Sequence, residues 1–382
     1  MKRIPLAVNA KALLFPLTGI GRYTRQLMEQ IGREGAFEPR YFYGAWWDAR
    51  LYFRPPMDAD RLRGWIKKLL PGHYRLARLF EQQRFTAGTR GKGMALYHEP
   101  NFIPYETDLP TVITVHDLSH LRFPETHPRD RVKMLNKRLP RAIETASRIL
   151  ADSEFTRREI LDVFRPSPEK VIATPLAASG IFHPRTESET QPCLTPLDLK
   201  HGKYILAVGT LEPRKNLITA LRAYRRLPSA LRRQIPMVIV GKTGWGMEKF
   251  QDEFNALLAS GQVRWLGHVP EESLPMLYAG AALLAYPSLY EGFGLPPLEA
   301  MASGVPVVAA DRASIPEVVG DAGILVEPLD ERALADAMGS LLEDAVYARA
   351  LGSRGLERAA GYSWEACAAR TLQAYHQALG AR

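Results

Sequence analysis

The sequence predicts an α/β protein made of two doubly wound parallel-sheet domains that face a cleft. Three observations carry this. Short apolar runs of strand length, such as Thr111-Val-Ile-Thr-Val115 and Met237-Val-Ile-Val240, alternate with stretches whose apolar residues recur at three and four. Several of these runs end in glycine-bearing turns, where open parallel sheets receive ligands. A segment rich in Ser, Thr, Glu and Pro, 181–200, separates two alternating halves, and 382 residues suffice for two domains of ordinary size. The expected domains are therefore 1–180 and 201–362, joined by a linker at 181–200.

Composition narrows the class. No apolar run reaches membrane-spanning length, and Met1-Lys-Arg-Ile-Pro-Leu-Ala-Val-Asn9 reads as a first strand, not a signal peptide. Cys193 and Cys367 are the only cysteines, so no disulfide framework or metal-ligand spacing exists, which fits a reducing cytoplasm. The net charge of +9 is unevenly placed: residues 1–185 carry 31 Lys and Arg against 19 Asp and Glu, and the rest 19 against 22. A basic first half suits an anionic partner, whether a membrane surface, a phosphorylated acceptor or nucleic acid, or else is a plain solvated face.

In the first half, 4–8 reads as strand one. Ile20, Tyr23, Leu27 and Ile31 then keep helical spacing, which puts Gly19 and Gly21 at a helix start. Glycines there let a phosphate approach the backbone and the helix dipole. Asp58 and Asp60 are spaced as a metal pair, but no apolar strand precedes them and Arg61 follows, so no metal role is assigned. The stretch 61–84 holds seven Lys and Arg against one Glu, with Leu62, Trp65, Ile66, Leu69 and Leu70 on one face. That is the composition of an interfacial helix, peripheral on an anionic membrane, and equally of a surface helix packed on its own domain. His116 follows the strand 111–115 at its carboxyl end, a ligand-facing place, although a lone His there is more often structural. A helix over 129–147, a strand over 148–151 and a helix capped by Asp152 or Ser153 come next, and 171–174 closes the first sheet.

In the second half, 203–209 is a buried strand, and a helix is expected to start near Pro213 or Arg214. Arg214 and Lys215 would oppose the helix dipole there, so an anion held between them is the better explanation. An Arg fork with a Lys point charge suits a diphosphate. Gly241-Lys-Thr-Gly-Trp-Gly246 after the strand 237–240 lacks the residue order of a triphosphate-binding loop. Strands over 263–269 and 281–286 follow, with a helix over 271–279 between them. The second strand runs into Ser288-Leu-Tyr-Glu-Gly-Phe-Gly-Leu-Pro-Pro-Leu-Glu299, a glycine turn opening a helix over 298–303, with Gly304 at its end. Amides of Gly292, Phe293, Gly294 and Leu295 are placed to meet a phosphate or a growing negative charge. Glu291 and Glu299 bracket the turn with seven residues between them. They cannot hold one atom together, so one is read near the reacting group and the other near a hydroxyl pair. Strands over 305–309 and 323–326 and helices from Asp330, Tyr347 and Ser363 complete the chain.

The paired glutamates around Gly-Phe-Gly-Leu-Pro, the phrase Gly209-Thr-Leu-Glu-Pro-Arg-Lys-Asn-Leu217, His116-Asp-Leu118 with Pro124-Glu125, and Ser153-Glu-Phe-Thr-Arg157 together resemble glycosyltransferase family four, retaining sugar-nucleotide transferases of the GT-B fold. The resemblance spans nearly the whole chain in order. It implies that Gly19 and Gly21 meet the donor diphosphate, and that Arg214 and Lys215 carry it as it leaves. It implies that Gly267, His268 and Val269 lie against the nucleobase, Glu299 binds the ribose, Glu291 holds the sugar and His116 orients it. It also implies that 363–382 crosses back onto the first domain, and that the leaving phosphate takes the acceptor proton with no metal and no cofactor. The wording of the motifs is nearest to bacterial mannosyl- and rhamnosyltransferases of O-antigen or exopolysaccharide synthesis. That suggests a GDP-linked hexose donor and a saccharide or polyprenyl-linked acceptor. UDP-sugars stay open as donors. A sugar-nucleotide epimerase on the same fold is a second reading. A nucleic-acid binder leaves Glu291, Glu299 and the Arg214-Lys215 pair without a purpose, so no nucleic-acid partner is expected.

Overall fold

A computed structural model describes residues 3–14, 19–52, 73–244 and 251–380. Asp58, Asp60 and the first part of the basic stretch, 61–72, lie outside the described residues. The chain divides into two compact units: Met1–Leu118 with Lys133–Leu176 and Trp364–Arg382, and Ser119–Val132 with Ala177–Ser363.

The first unit is built on a seven-stranded sheet. Its strands are β1 (Ile4–Asn9), β2 (Phe37–Phe42), β3 (Trp47–Asp48), β4 (Leu96–Glu99), β5 (Thr111–Val115), β6 (Arg148–Ala151) and β7 (Val171–Ala173), in the order β3-β2-β1-β4-β5-β6-β7. Every pairing is parallel except β2 with the short edge strand β3. β4 and β5 are buried at every position, as central parallel strands covered on both faces must be. An aromatic cluster of Phe42, Phe85, Tyr97 and Tyr105 fills one side, with Phe85 stacked 4.9 Å from Tyr105. On another, the helix Trp364–Gly380 returns from the far end of the chain, and its Tyr375 is buried against Phe37 and His98.

The second unit carries six parallel strands: β8 (Ile205–Val208), β9 (Met237–Val240), β10 (Val263–Gly267), β11 (Leu283–Tyr286), β12 (Val307–Ala310) and β13 (Ile324–Val326), ordered β10-β9-β8-β11-β12-β13. Its core joins Leu221 and Tyr224 of the helix Leu217–Arg226 to Met338 and Leu341 of the helix Glu331–Glu343.

Part of the segment expected to be a plain linker is a helix, Glu187–Leu194. Glu189 reaches back to accept from the Thr186 amide at 2.7 Å, the reciprocal half of a capping box. The Thr, Glu and Pro content that resembles a linker is therefore partly helix-start chemistry. In each sheet the strand order reverses once, between β1 and β4 and between β8 and β11. These are the topological switch points at which doubly wound sheets open a crevice.

Candidate active site

The switch point of the second sheet gathers a buried group of charges. β8 and β11 lie side by side, with Leu283 paired to Ile205. Beyond β8 the chain makes a 3₁₀ turn, Pro213–Lys215, then Asn216 in the left-handed region at φ 52°, and only then the helix Leu217–Arg226. The helix therefore starts later than the sequence suggests. Asn216 causes this: its amide donates to the carbonyls of Pro287 at 3.0 Å and Pro328 at 2.6 Å, and its own oxygen accepts from Thr219 at 2.7 Å. Asn tolerates this backbone state at little cost. Arg214 and Lys215 thus sit in the turn before the helix and escape the dipole penalty expected of them.

The anion between them is internal. Lys215 Nζ donates to Glu291 Oε1 at 2.5 Å, and Arg214 Nη1 donates to Glu291 Oε2 at 3.2 Å and to the Tyr290 carbonyl at 2.7 Å. Arg214 Nη2 donates to Glu212 Oε1 at 2.6 Å. Tyr286 and Ser288 hydroxyls also donate to Glu291 Oε1, at 2.8 and 2.6 Å. Burial would raise the Glu291 carboxyl, but Lys215 and then Arg214 outweigh it and hold it near 2. Burial lowers Lys215 against the pull of Glu291, and it drives the Tyr286 phenol upward with help from the Glu291 charge. Glu291 is thus a fixed carboxylate gripped by four side chains.

The turn beyond it is held by Ser314, whose hydroxyl donates to the carbonyls of Glu291 and Phe293 at 2.8 and 2.7 Å. Gly294, at φ 116°, caps the helix Leu295–Ala302, which buries Glu299 in its body. The helix starts earlier than its expected 298, because Pro296 and Pro297 occupy its first turn, where a missing N–H costs nothing. Three strand ends of this sheet are joined by backbone bonds. Gly209 N–H donates to Val240 O at 2.9 Å, and Gly241 N–H to Gly267 O at 2.8 Å. Gly267 ends β10 at φ 65°, with His268 exposed and Val269 half-buried beyond it.

In the first unit, Gly19 and Gly21 lie in the opening turn of the helix Gly19–Glu34, with open space around Gly19. His116 follows β5 and is nearly buried. Its Nδ1 lies 2.7 Å from Asp152 Oδ2 and its Nε2 2.8 Å from the Pro100 carbonyl. Burial pulls its pKa down, but Asp152 prevails and the net shift is upward. Both ring nitrogens are therefore committed inside this unit. The direct hold on a sugar that the resemblance implies for His116 is not available to its N–H groups in this arrangement.

Comparisons with known proteins give the family and the fold. Residues 197–358 match the family model described as Glycosyl transferases group 1. Over 94% of this chain and 96% of its own, an Escherichia coli O-antigen chain mannosyltransferase B is 38% identical. The chain belongs to the group 1 glycosyltransferases. Solved structures of similar fold include a sucrose-phosphate synthase from Thermosynechococcus elongatus, with a TM-score of 0.76, 21% identity and full coverage of both chains. Another is WaaG, a glycosyltransferase involved in lipopolysaccharide biosynthesis, with a TM-score of 0.73 at 16% identity over 96% of this chain and 98% of that one. The expected fold, two parallel-sheet α/β domains of the GT-B kind, is the one found.

Several residues that shape this glycosyltransferase's site were not singled out from sequence. Glu212, Tyr286 and Ser288 all touch Arg214 or Glu291. Their signal is position: each lies at a strand end beside a motif residue. At the first sheet's switch point, Glu99 is fully buried and accepts from Asn9 at 2.8 Å, Tyr97 at 2.6 Å and the Asn101 amide at 3.0 Å. Burial raises its carboxyl to about 7 despite these bonds. Asn9 ends β1 and Glu99 ends β4, the two strands that flank the reversal.

Proposed function

We propose that this glycosyltransferase is a retaining hexosyltransferase of surface polysaccharide synthesis. It moves mannose, or the related rhamnose, from a GDP-linked donor to a saccharide or polyprenyl-linked acceptor, without a metal. The observation that carries the reading is the buried Arg214–Lys215–Glu291 cluster at the switch point of the second sheet. Support for mannose and for O-antigen synthesis comes from the name of the 38% identical relative.

In this reading the cluster drives the reaction. A nucleoside diphosphate brings two or more negative charges to Lys215 and to Arg214, which Glu212 and the Tyr290 carbonyl already orient. As the glycosidic bond breaks, negative charge grows on the leaving phosphate, and fixed cations favour that state over the ground state. They do there what a divalent ion does elsewhere. Glu291, released from part of its grip, accepts from sugar hydroxyls, and Glu299 accepts from the ribose pair. Neither carboxylate is read as a covalent nucleophile, unlike the close pair of retaining glycosidases. The leaving phosphate takes the acceptor's proton on the same face.

The test is thermal stabilisation by nucleoside diphosphates and their sugars with chelator present. GDP and GDP-mannose should raise the melting temperature, and UDP should not. A shift with UDP alone would replace the donor and keep the transferase. No shift with any nucleotide would remove the donor site. The basic stretch 61–84 is read with this function as a peripheral attachment to an anionic membrane, where a lipid-linked acceptor would be met. Among the described residues, no helix is long and apolar enough to cross a membrane.

A further inference from the structure

In the first unit His98 is fully buried and His116 nearly so, and their partners differ in kind. His98 lies with Nε2 2.9 Å from the Thr114 hydroxyl and Nδ1 2.6 Å from the Tyr375 hydroxyl. A hydroxyl can donate or accept, so a neutral ring satisfies both contacts. His116 faces Asp152 Oδ2 and the Pro100 carbonyl. A carbonyl only accepts, and so does an ionised carboxylate. With Asp152 ionised, both nitrogens of His116 carry a proton and the ring is a cation; burial pulls the Asp152 carboxyl upward, and the His116 charge and hydrogen bond oppose that shift.

We infer that Asp152 is a positioning residue for the transfer reaction, which holds His116 as a buried imidazolium at the carboxyl end of β5. The inference rests on the reading that His116 borders the reacting sugar, and it changes what His116 does there. With both N–H groups used, the ring offers charge and shape in place of a hydrogen bond. Its position is fixed from several sides. Tyr23 meets the ring edge-on at 5.0 Å and Phe102 at 5.7 Å. The Tyr23 hydroxyl is tied to Thr114 at 2.8 Å. Asp152 itself precedes Ser153, the N-cap of the helix Glu154–Phe164, so the carboxylate is delivered by a rigid helix start. A preorganised charge of this kind favours charge separation in a transition state without rearranging as the bond breaks.

Other ionisable groups surround the ring. Asp117 is its chain neighbour and adds to the upward shift of His116. His98 is held neutral, near 3, by burial and then by the His116 charge. Cys367 of the last helix feels Asp152, which adds to burial in raising its thiol. Glu99, one residue before Pro100, titrates near 7. A pH–rate profile would therefore mix Glu99 with His116, and a direct view of the ring is needed.

The experiment observes histidine ring nitrogens by NMR in ¹⁵N-labelled full-length protein between pH 6 and 9, with His116 assigned from a His116→Asn sample. Both ring nitrogens of His116 should be protonated at pH 7.5. In Asp152→Asn one of them should lose its proton. Turnover should then fall by about 10- to 100-fold, by analogy with the loss of carboxylates that orient metal-bound histidines, with the donor KM unchanged. A His116 with one bare nitrogen at pH 7 in the unaltered protein would overturn the inference, because the proton would then rest on Asp152. A doubly protonated ring that turns neutral in Asp152→Asn without loss of turnover would overturn it as well. The ring measurement needs neither substrate nor the Asp152 variant. It therefore decides the charge if Asp152→Asn does not fold, and a chain that binds no nucleotide sugar fails the functional reading separately.

Discussion

Replacing Glu291 with Gln keeps its shape and removes the charge that Lys215 and Arg214 share. Arg214 would keep its pair with Glu212, while Lys215 would lose the carboxylate to which it donates. Breaking one side of a buried pair costs about 3–5 kcal/mol. The pH dependence follows from the depressed carboxyl. Glu291 titrates near 2 in the folded chain and near its ordinary 4.5 when unfolded. Its contribution is present above the unfolded value and is lost as pH falls toward 2. Denaturant unfolding should show a gap between the unaltered protein and Glu291→Gln that is constant from pH 5 to 7 and closes below pH 4. A gap independent of pH down to 3 would show that the carboxylate charge does not stabilise this cluster. Turnover should fall by about 100-fold or more, as when a preorganised electrostatic group is lost. The nucleoside diphosphate should still shift the melting temperature, since the cations it meets remain and lose a competitor. Loss of that shift would mean that Glu291 builds the diphosphate site instead of opposing it.

At the scale of elements, strand ends matter more than strand bodies. Gly241 follows β9 at φ 157°, and a Cβ there would stand 1.8 Å from the Gly209 carbonyl oxygen. The obstacle is backbone, so no side chain can move aside. Gly241→Ala must part the ends of β8 and β9 and displace the turn that carries Arg214 and Lys215. We expect a loss of several kcal/mol in unfolding free energy, in the range of severe core overpacking, and a nucleotide-induced thermal shift reduced by more than the stability loss explains. Gly180→Ala, with open space around it, serves as the control. Equal behaviour of the two variants would show that the strand ends can spread without harm.

The same scale shows what could be read in advance. β5, β6 and β9 are legible because each is an apolar run buried on both faces. β2 is hidden by Glu38, Pro39 and Arg40, which interrupt its apolar run, and β4 by His98 and Glu99, buried polar residues that distant partners satisfy. The Arg214, Lys215 and Glu291 trio was visible in motif spacing. That the cations hold the glutamate itself was not, since Asn216 sets the turn through carbonyls 71 and 112 residues away in the chain. The commitment of His116 to Asp152 spans 36 residues and leaves no local mark either.

For the whole molecule, the charge asymmetry supplies a prediction that no single residue does. The excess of Lys and Arg lies in 1–185, and its densest run leads into the helix His73–Gly91. On that helix Leu79 and Phe80 are 60% and 52% exposed. Two basic residues nearby are already engaged: Arg78 donates to the Pro104 carbonyl at 2.8 Å and Arg84 to that of Ala45 at 3.1 Å. These two hold the helix on its own domain, and Leu79 and Phe80 are left facing outward. An anionic bilayer would add about 1 kcal/mol for each remaining cation near its surface. Each apolar side chain fully buried in it would add about 1.5–3 kcal/mol. The protein should therefore float with vesicles containing phosphatidylserine or phosphatidylglycerol and not with neutral phosphatidylcholine, and about 1 M salt should release it, where screening is nearly complete. Leu79→Ser with Phe80→Ser should weaken flotation at low salt by tenfold or more while the GDP thermal shift stays. Equal binding to neutral vesicles would assign the attachment to apolar contact alone. Absence of binding to either kind would leave the basic first half facing a soluble anionic partner, the acceptor's own phosphate being the nearest in chemistry.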